Sequence, residues 1–152
     1  MSPPTAGTRA SCSSRPMSYL IDTDVLSLLE KKNPPAKLVS FIARHDGEIF
    51  VSAVSWAELQ FGLEAAPTAH RPALKGWLED VRARFSGATE PLDEAVLVRW
   101  KQLLADLKAK NRTIACEDSL IAATALLRGH TVLTGNKRHF EPTGAQVEDP
   151  TR

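Results

Sequence analysis

Residues Ser18-Tyr-Leu-Ile-Asp22 form a short apolar run that ends in a carboxylate. A continuous apolar run of this length is typical of a strand buried on both faces, as in a parallel sheet. Ligands of open parallel sheets bind beyond the carboxyl ends of the strands. Asp22 is therefore a candidate functional residue. The alternative is that Asp22 or Thr23 only caps the helix that follows.

Strand and helix patterns alternate along the rest of the chain. The other predicted strands cover residues 49–51, 89–92, 131–133 and 145–147. The predicted helices cover residues 24–31, 35–44, 54–65, 71–85, 93–110 and 119–128. This alternation predicts an α/β fold with a central parallel sheet and right-handed crossovers.

The composition fits one globular domain. Of the 152 residues, 43% are hydrophobic and 24% are charged, which is not the signature of a disordered chain. The 19 Lys and Arg residues nearly balance the 18 Asp and Glu residues, so any nucleic-acid contact must come from a local patch. The chain has only two cysteines and no apolar run near the ~20 residues of a membrane span. We expect a cytoplasmic protein with no membrane contact.

The first 16 residues, MSPPTAGTRASCSSRP, differ from the rest. They show no apolar period and lack the apolar segment of a signal peptide. We predict a disordered tail over residues 1–16 and a single folded domain over residues 17–150. Met17 directly precedes the first strand and is a candidate for the true start of the protein.

Glu58 lies in the predicted helix 54–65, where Val54, Phe61 and Gly62 are its neighbours at helical spacing. This spacing places Glu58 on an apolar helix face, where a carboxylate costs free energy unless it is paired or binds a metal. The alternative is a capping box formed by Ser55 and Glu58, which would place this glutamate in the first helical turn for local reasons.

Asp118 begins another helical pattern, and its neighbours three and four residues on are Ile121 and Ala122. Glu117 points away from this face and fits the general preference for acids in a first helical turn. That preference accounts less well for Asp118, which faces the apolar side.

Asp22, Glu58 and Asp118 come from well-separated segments, and each stands at an inward-facing position. If folding brings them together, their mutual repulsion raises their pKa values unless a cation lies between them. Oxygen ligands without His or Cys favour Mg²⁺ or Mn²⁺ over Zn²⁺. Such an ion suits phosphoryl-transfer chemistry.

Four motifs carry a family resemblance. They are Leu20-Ile-Asp22-Thr-Asp-Val-Leu26, Ser52-Ala-Val-Ser-Trp-Ala-Glu58-Leu-Gln-Phe-Gly62, Glu117-Asp118-Ser-Leu-Ile-Ala-Ala-Thr-Ala125 and Leu133-Thr-Gly-Asn136-Lys-Arg-His-Phe140. In this order and spacing, the chain resembles PIN-domain proteins, and among them the VapC-type toxins of type II toxin–antitoxin pairs. The resemblance extends from about residue 17 to residue 147.

The resemblance implies a three-layer α/β/α sandwich and a Mg²⁺- or Mn²⁺-dependent endoribonuclease that uses metal-activated water. Its metal-binding and catalytic residues would be Asp22, Glu58 and Asp118. The fourth acidic position falls on Asn136, whose amide can orient water or hold an ion weakly but adds no charge. Thr23 and Asp24 are further candidates.

The resemblance also implies partners. RNA is the expected substrate, and the run of Lys137, Arg138 and His139 either contacts its phosphates or forms an exposed basic loop. An antitoxin is expected on the apolar helices between Asp24 and Arg44, although ordinary core packing also explains their apolar residues. A homodimer is expected as well.

Two other functions remain open at this point. One is a haloacid-dehalogenase-like phosphatase, because Asp22-Thr-Asp24 at a strand end resembles the nucleophile motif of that class, with Lys137 as its lysine. This alternative leaves Glu58 without a role. The other is a PIN-like module that binds RNA or a partner without cleavage, which only Asn136 supports.

Overall fold

A computed structural model describes residues 17–152, so the predicted tail over residues 1–16 and its Cys12 lie outside the described residues. Within the described part, none of the helices combines the length and the apolar character that crossing a membrane requires.

A five-stranded parallel sheet forms the centre of the structure. Its strands are β1 (Tyr19–Ile21), β2 (Ile49–Ser52), β3 (Thr89–Glu90), β4 (Thr131–Leu133) and β5 (Val147–Glu148). Their order across the sheet is β3-β2-β1-β4-β5. The first strand is therefore central, and its last residue, Ile21, lies level with Val51 of β2 and Leu133 of β4. The predicted parallel sheet is confirmed.

Seven α-helices are present in the described residues. They are α1 (Thr23–Ser27), α2 (Ala36–Arg44), α3 (Ala53–Ala65), α4 (Arg71–Arg84), α5 (Glu94–Ala109), α6 (Cys116–Arg128) and α7 (Lys137–Phe140). Short 3₁₀ turns follow α1 at Leu28–Glu30, precede α4 at Thr68–His70 and follow α7 at Glu141–Thr143.

The side chains of β1 alternate between the two faces of the sheet, which creates two cores. Tyr19 and Ile21 pack with residues of α1, α2, α3 and α4, such as Leu38 and Leu78. Leu20 packs on the opposite face with residues of α5, α6 and α7. This is the three-layer α/β/α arrangement that the family resemblance implies.

Several elements differ from the prediction at their ends, among them two strands and one helix. The strand predicted over 89–92 ends at Glu90, and the strand predicted over 145–147 covers Val147–Glu148. The helix predicted over 24–31 ends as an α-helix at Ser27 and continues as a 3₁₀ turn. Pro34 and Pro35 follow shortly, and a proline disfavours helical geometry in the residue before it.

Candidate active site

Asp22 lies directly after β1 at the carboxyl edge of the sheet, with 4% of its surface exposed. Its backbone N–H donates to the carbonyl of Leu133 at 2.9 Å, so the residue still belongs to the β1–β4 pairing. Although Asp22 occupies the N-cap position of α1, its side chain makes no capping hydrogen bond. The side-chain hydrogen bond of this carboxylate is instead to Thr134, while the backbone N–H of Asp24 at the start of α1 lies close enough to lower the pKa of Asp22.

Thr134 fixes the orientation of the Asp22 carboxylate. This threonine follows β4 and is fully buried, and its Oγ1 donates to Oδ2 of Asp22 at 2.9 Å. The backbone N–H of Asn136 donates to the same Oγ1 at 3.0 Å. The Thr134 hydroxyl therefore accepts one hydrogen bond from Asn136 and uses its own hydrogen for the bond to Asp22.

The pKa of Asp22 is raised to about 6. Burial is the largest cause, and the negative charges of Asp118 and Asp24 add to it, while the hydrogen bonds from Thr134 and from the backbone N–H of Asp24 oppose it. A buried carboxylate that also feels two other carboxylates is a group that a cation would stabilise.

Glu58 lies in the second turn of α3, because the helix begins at Ala53 and is capped by Ser52, whose Oγ accepts from the N–H of Val54 at 3.1 Å. The capping box of Ser55 and Glu58 is therefore wrong. Instead, Thr23 Oγ1 donates to Oε1 of Glu58 at 2.7 Å. The buried Ser55 hydroxyl lies 2.7 Å from the same Thr23 oxygen and must donate to it, since the Thr23 hydrogen is already used.

The prediction that Glu58 lies on a buried apolar face of its helix is wrong. Phe61, expected on a buried apolar face with Glu58, is 71% exposed, and Gly62 is exposed as well. Helical spacing identifies the residues that share a side of α3, but it does not reveal what covers that side. Glu58 is partly buried through its contact with α1. Burial raises its pKa most, followed by the charges of Glu117, Asp118 and Asp24, against the hydrogen bond from Thr23.

Asp118 lies in the first turn of α6, which begins three residues earlier than predicted. The side chain is 27% exposed, and its Oδ2 accepts from Nε2 of His139 at 2.9 Å. Burial raises the pKa of Asp118 most, with smaller increases from Asp24 and Glu117, while His139 lowers it. Glu117 itself is exposed, as expected.

The structure brings Asp22, Glu58 and Asp118 close enough for Asp118 to raise the pKa of both other groups. They do not form a tight cluster, since no three Asp, Glu, His or Cys side chains of residues 17–152 converge on one point as metal ligands do. A pocket of about 260 Å³ opens beside Thr23 and Glu58, with an apolar wall that includes Trp77.

The remaining sequence candidates lie at the rim. The side chains of Asp24 and Asn136 are exposed, and the observed contact of Asn136 is made by its backbone N–H. Lys137 and Arg138 are exposed on α7. Both basic side chains are therefore available to a polyanion that approaches the carboxylates.

The donor set fits a hard divalent cation. The groups are carboxylates without thiols, and their repulsion is of the kind that a positive ion relieves. Mg²⁺ usually keeps several waters and is held by one or two carboxylates, so it does not need three converging side chains. Asp22 and Asp118 can hold such an ion, with Glu58 beside it.

Thr134 was not predicted as a residue of this site, and Ser55 and His139 were predicted in other roles, as a helix cap and as part of a basic run. Thr134 follows the predicted strand 131–133 as Asp22 follows the first strand, and that parallel could have identified it. The other two carry no sequence signal, since their roles depend on contacts between distant segments.

Comparison with known proteins gives one consistent family. The PIN domain profile matches residues 19–144. The VapC ribonuclease Y4jK of Sinorhizobium fredii is 32% identical over 134 residues, which is 86% of this chain and 96% of that relative. Toxin FitB of Neisseria gonorrhoeae is 29% identical over 134 residues, with the same shares of each chain. The crystal structure of FitAcB from Neisseria gonorrhoeae superposes with a TM-score of 0.78 at 28% identity, covering 87% of this chain and 97% of that one. The chain therefore belongs to the PIN-domain family.

Proposed function

We propose that this protein is a Mg²⁺- or Mn²⁺-dependent endoribonuclease and the toxin of a type II toxin–antitoxin pair. The observation that carries the proposal is the set of three carboxylates, each with a raised pKa, at the carboxyl edge of the sheet of a PIN-domain protein. The relatives named a ribonuclease and a toxin support the same function.

Each side chain has a distinct task in this proposal. Asp22 and Asp118 hold the ion, and Glu58, fixed by Thr23, holds it or orients the attacking water. When bound, the ion supplies Lewis-acid stabilisation of the phosphate oxygens and lowers the pKa of water. Lys137 and Arg138 attract the RNA backbone toward the site, as exposed basic side chains near a nuclease centre do.

The direct test is incubation of purified protein with mixed cellular RNA in Mg²⁺, in Mn²⁺ and in excess EDTA. We expect endonucleolytic fragments with either metal and intact RNA in EDTA. Metal binding without cleavage of any RNA would instead support a non-catalytic binding module. Hydrolysis of small phosphomonoesters without RNA cleavage would support the phosphatase alternative. Membership of the PIN-domain family argues against that outcome.

Replacing Thr134 with valine is expected to lower the cleavage rate by about 10- to 100-fold, a typical effect of removing a group that orients a metal ligand. Valine keeps the shape of the buried side chain but cannot donate to Asp22 Oδ2. Thr134→Ser keeps the hydroxyl and should retain most of the activity. Cleavage rates with saturating Mn²⁺ provide the measurement, and equal loss in both variants would contradict the role of the hydroxyl.

The proposed antitoxin surface is narrower than the sequence implied. Most apolar side chains between Asp24 and Arg44 are buried in the core, namely Val25, Leu26, Leu38, Phe41 and Ile42. What remains open is a groove of about 300 Å³ between the turn after α1, α2 and α4. The groove is lined by Leu29, Val39, Ile42, Trp77, Asp80, Val81 and Arg84. An apolar antitoxin helix that buries Val39 suits this shape.

Introducing a charge at Val39, whose surface is 46% exposed, is expected to block neutralisation. Burial of an unpaired carboxylate against an apolar helix costs several kcal/mol, so Val39→Asp should weaken antitoxin binding by about 100-fold or more while RNA cleavage continues. The matched control is Ser40→Asp, which adds the same charge beside another depression on α2. Co-purification with the cognate antitoxin gives the measurement. Unchanged binding of the Val39→Asp variant would exclude this groove.

A homodimer remains part of the proposal. Two protomers are expected in solution, so sedimentation should give about twice the 16.6 kDa mass of the chain. The exposed Phe61 on α3 is a candidate contact, because an apolar ring that is 71% exposed gains free energy on burial. A monomer at all accessible concentrations would contradict this expectation.

A further inference from the structure

Each of the three acidic side chains is held by one donor from a different segment of the chain. Thr134 after β4 donates to Asp22, and Thr23 of α1 donates to Glu58. The third donor is His139 of α7, whose Nε2 lies 2.9 Å from Oδ2 of Asp118. Carboxylates that bind metals are themselves commonly oriented by such hydrogen bonds, and those partners affect metal affinity.

The support for His139 comes from the residue that follows it. Phe140 is 1% exposed and packs in the same core cluster as Ile121 of α6. The His139 and Phe140 rings contact each other edge to face, with centroids 5.8 Å apart. The turn after α7 is fastened to the end of α5, where Nζ of Lys110 donates to the carbonyl of Pro142 at 3.1 Å. The segment that carries His139 is therefore held by Phe140 in the core and by the hydrogen bond of Lys110 at the surface.

Asp118 is anchored to the same core, because α6 buries Ile121 and Ala122 one turn beyond it. Among residues 17–152, the Asp118 carboxylate has no other side-chain hydrogen bond, so its Oδ1 is left for a ligand. The hydrogen bond at Oδ2 thus selects one rotation of the carboxylate out of the several that a free aspartate samples.

We propose that His139 is a positioning residue that fixes Asp118 for binding of the divalent cation. The inference rests on the proposed metal-dependent function. It requires only an N–H at Nε2, which donates to Oδ2 and leaves Oδ1 free for a ligand. Because the bond is preformed, less conformational entropy is lost when the ion binds.

The experiment measures Mn²⁺ binding to the full chain by calorimetry, without RNA. His139→Leu removes the donor, and His139→Gln places an amide N–H near the position of Nε2. We expect the Kd for Mn²⁺ to increase about 10- to 100-fold in His139→Leu and to stay within about threefold of the wild type in His139→Gln. His70→Leu, which removes an exposed imidazole on the turn before α4, is the matched control and should leave the Kd within about twofold.

The outcomes separate this inference from the proposed function. Wild-type affinity in His139→Leu, together with a higher KM for RNA, would overturn the inference and place His139 on the substrate. Equal loss in His139→Leu and His139→Gln, or no Mn²⁺ binding by the wild type, would overturn it as well. If the wild type binds Mn²⁺ with the expected pattern of variants but cuts no RNA, the proposed function fails and the positioning role stands.

Discussion

The Asp22→Asn variant is expected to lose RNA cleavage and to become more stable than the wild type near pH 8 in EDTA. The loss of activity should reach roughly 10³-fold, because a bound metal ion contributes several kcal/mol to the reaction and Asp22 is one of its two proposed ligands. The amide has nearly the same shape as the carboxylate and can still accept the hydrogen bond from Thr134.

The gain in stability follows from the sign of the pKa change. The pKa of Asp22 is about 6 in the folded chain, above the ordinary value near 3.9 in an unfolded one. Between these values the folded state binds more protons, so the free energy of unfolding falls as the pH rises from about 4 to about 6 and is then level. The difference corresponds to roughly 3 kcal/mol, which Asp22→Asn would recover in part above pH 6.

Thermal unfolding in EDTA near pH 8 and near pH 4 tests this expectation. The variant should unfold several degrees above the wild type at the higher pH and at about the same temperature at the lower pH, where Asp22 is protonated. The matched control is Asp46→Asn at an exposed position away from the site, which should change neither stability nor cleavage. If Asp22→Asn still cuts RNA at the wild-type rate, Asp22 is not required for cleavage.

The fold was largely predictable from local patterns. The strands around Leu20 and Val132 are short, largely apolar runs. Such runs predict a strand that is buried on both faces of a sheet. The helix α7 was not predicted, because four residues give no helical period. Its position depends instead on Phe140, which is held by a core built from other segments.

The candidate site was predictable only in part, for the same physical reason. Asp22 was identified by its place after a strand, which is a local property. Glu58 was identified with a wrong argument, since the apolar neighbour Phe61 is exposed and the actual contact is Thr23 of another helix. The contact between His139 and Asp118 joins residues 21 positions apart, and no periodicity encodes such a pairing.

The stabilisation of the protein by divalent cations is expected to depend strongly on pH. All three carboxyl groups have raised pKa values, so each must lose a proton more often on metal binding than an ordinary carboxyl would. Near pH 5 the proton on Asp22 competes with the ion and weakens its binding about tenfold, so the same concentration of Mg²⁺ or Mn²⁺ should stabilise the folded chain only about half as much as near pH 8. Near pH 8 an ion at about 100 times its Kd should stabilise the folded chain by about 2.7 kcal/mol.

Thermal unfolding with and without Mn²⁺ across this pH range measures the effect. The metal-free curve should fall in stability from about pH 4 to about pH 6, whereas the curve with the ion should stay nearly level, because the ion keeps the carboxylates ionised in the folded chain. The gap between the two curves should therefore widen as the pH rises. Asp118→Asn removes one proposed ligand and should shrink the gap between the curves near pH 8. If the ion raises the unfolding temperature equally near pH 5 and near pH 8, it binds elsewhere on the chain. Binding at a site that contains Asp22 must displace the proton of this carboxyl near pH 5 and is therefore weaker there.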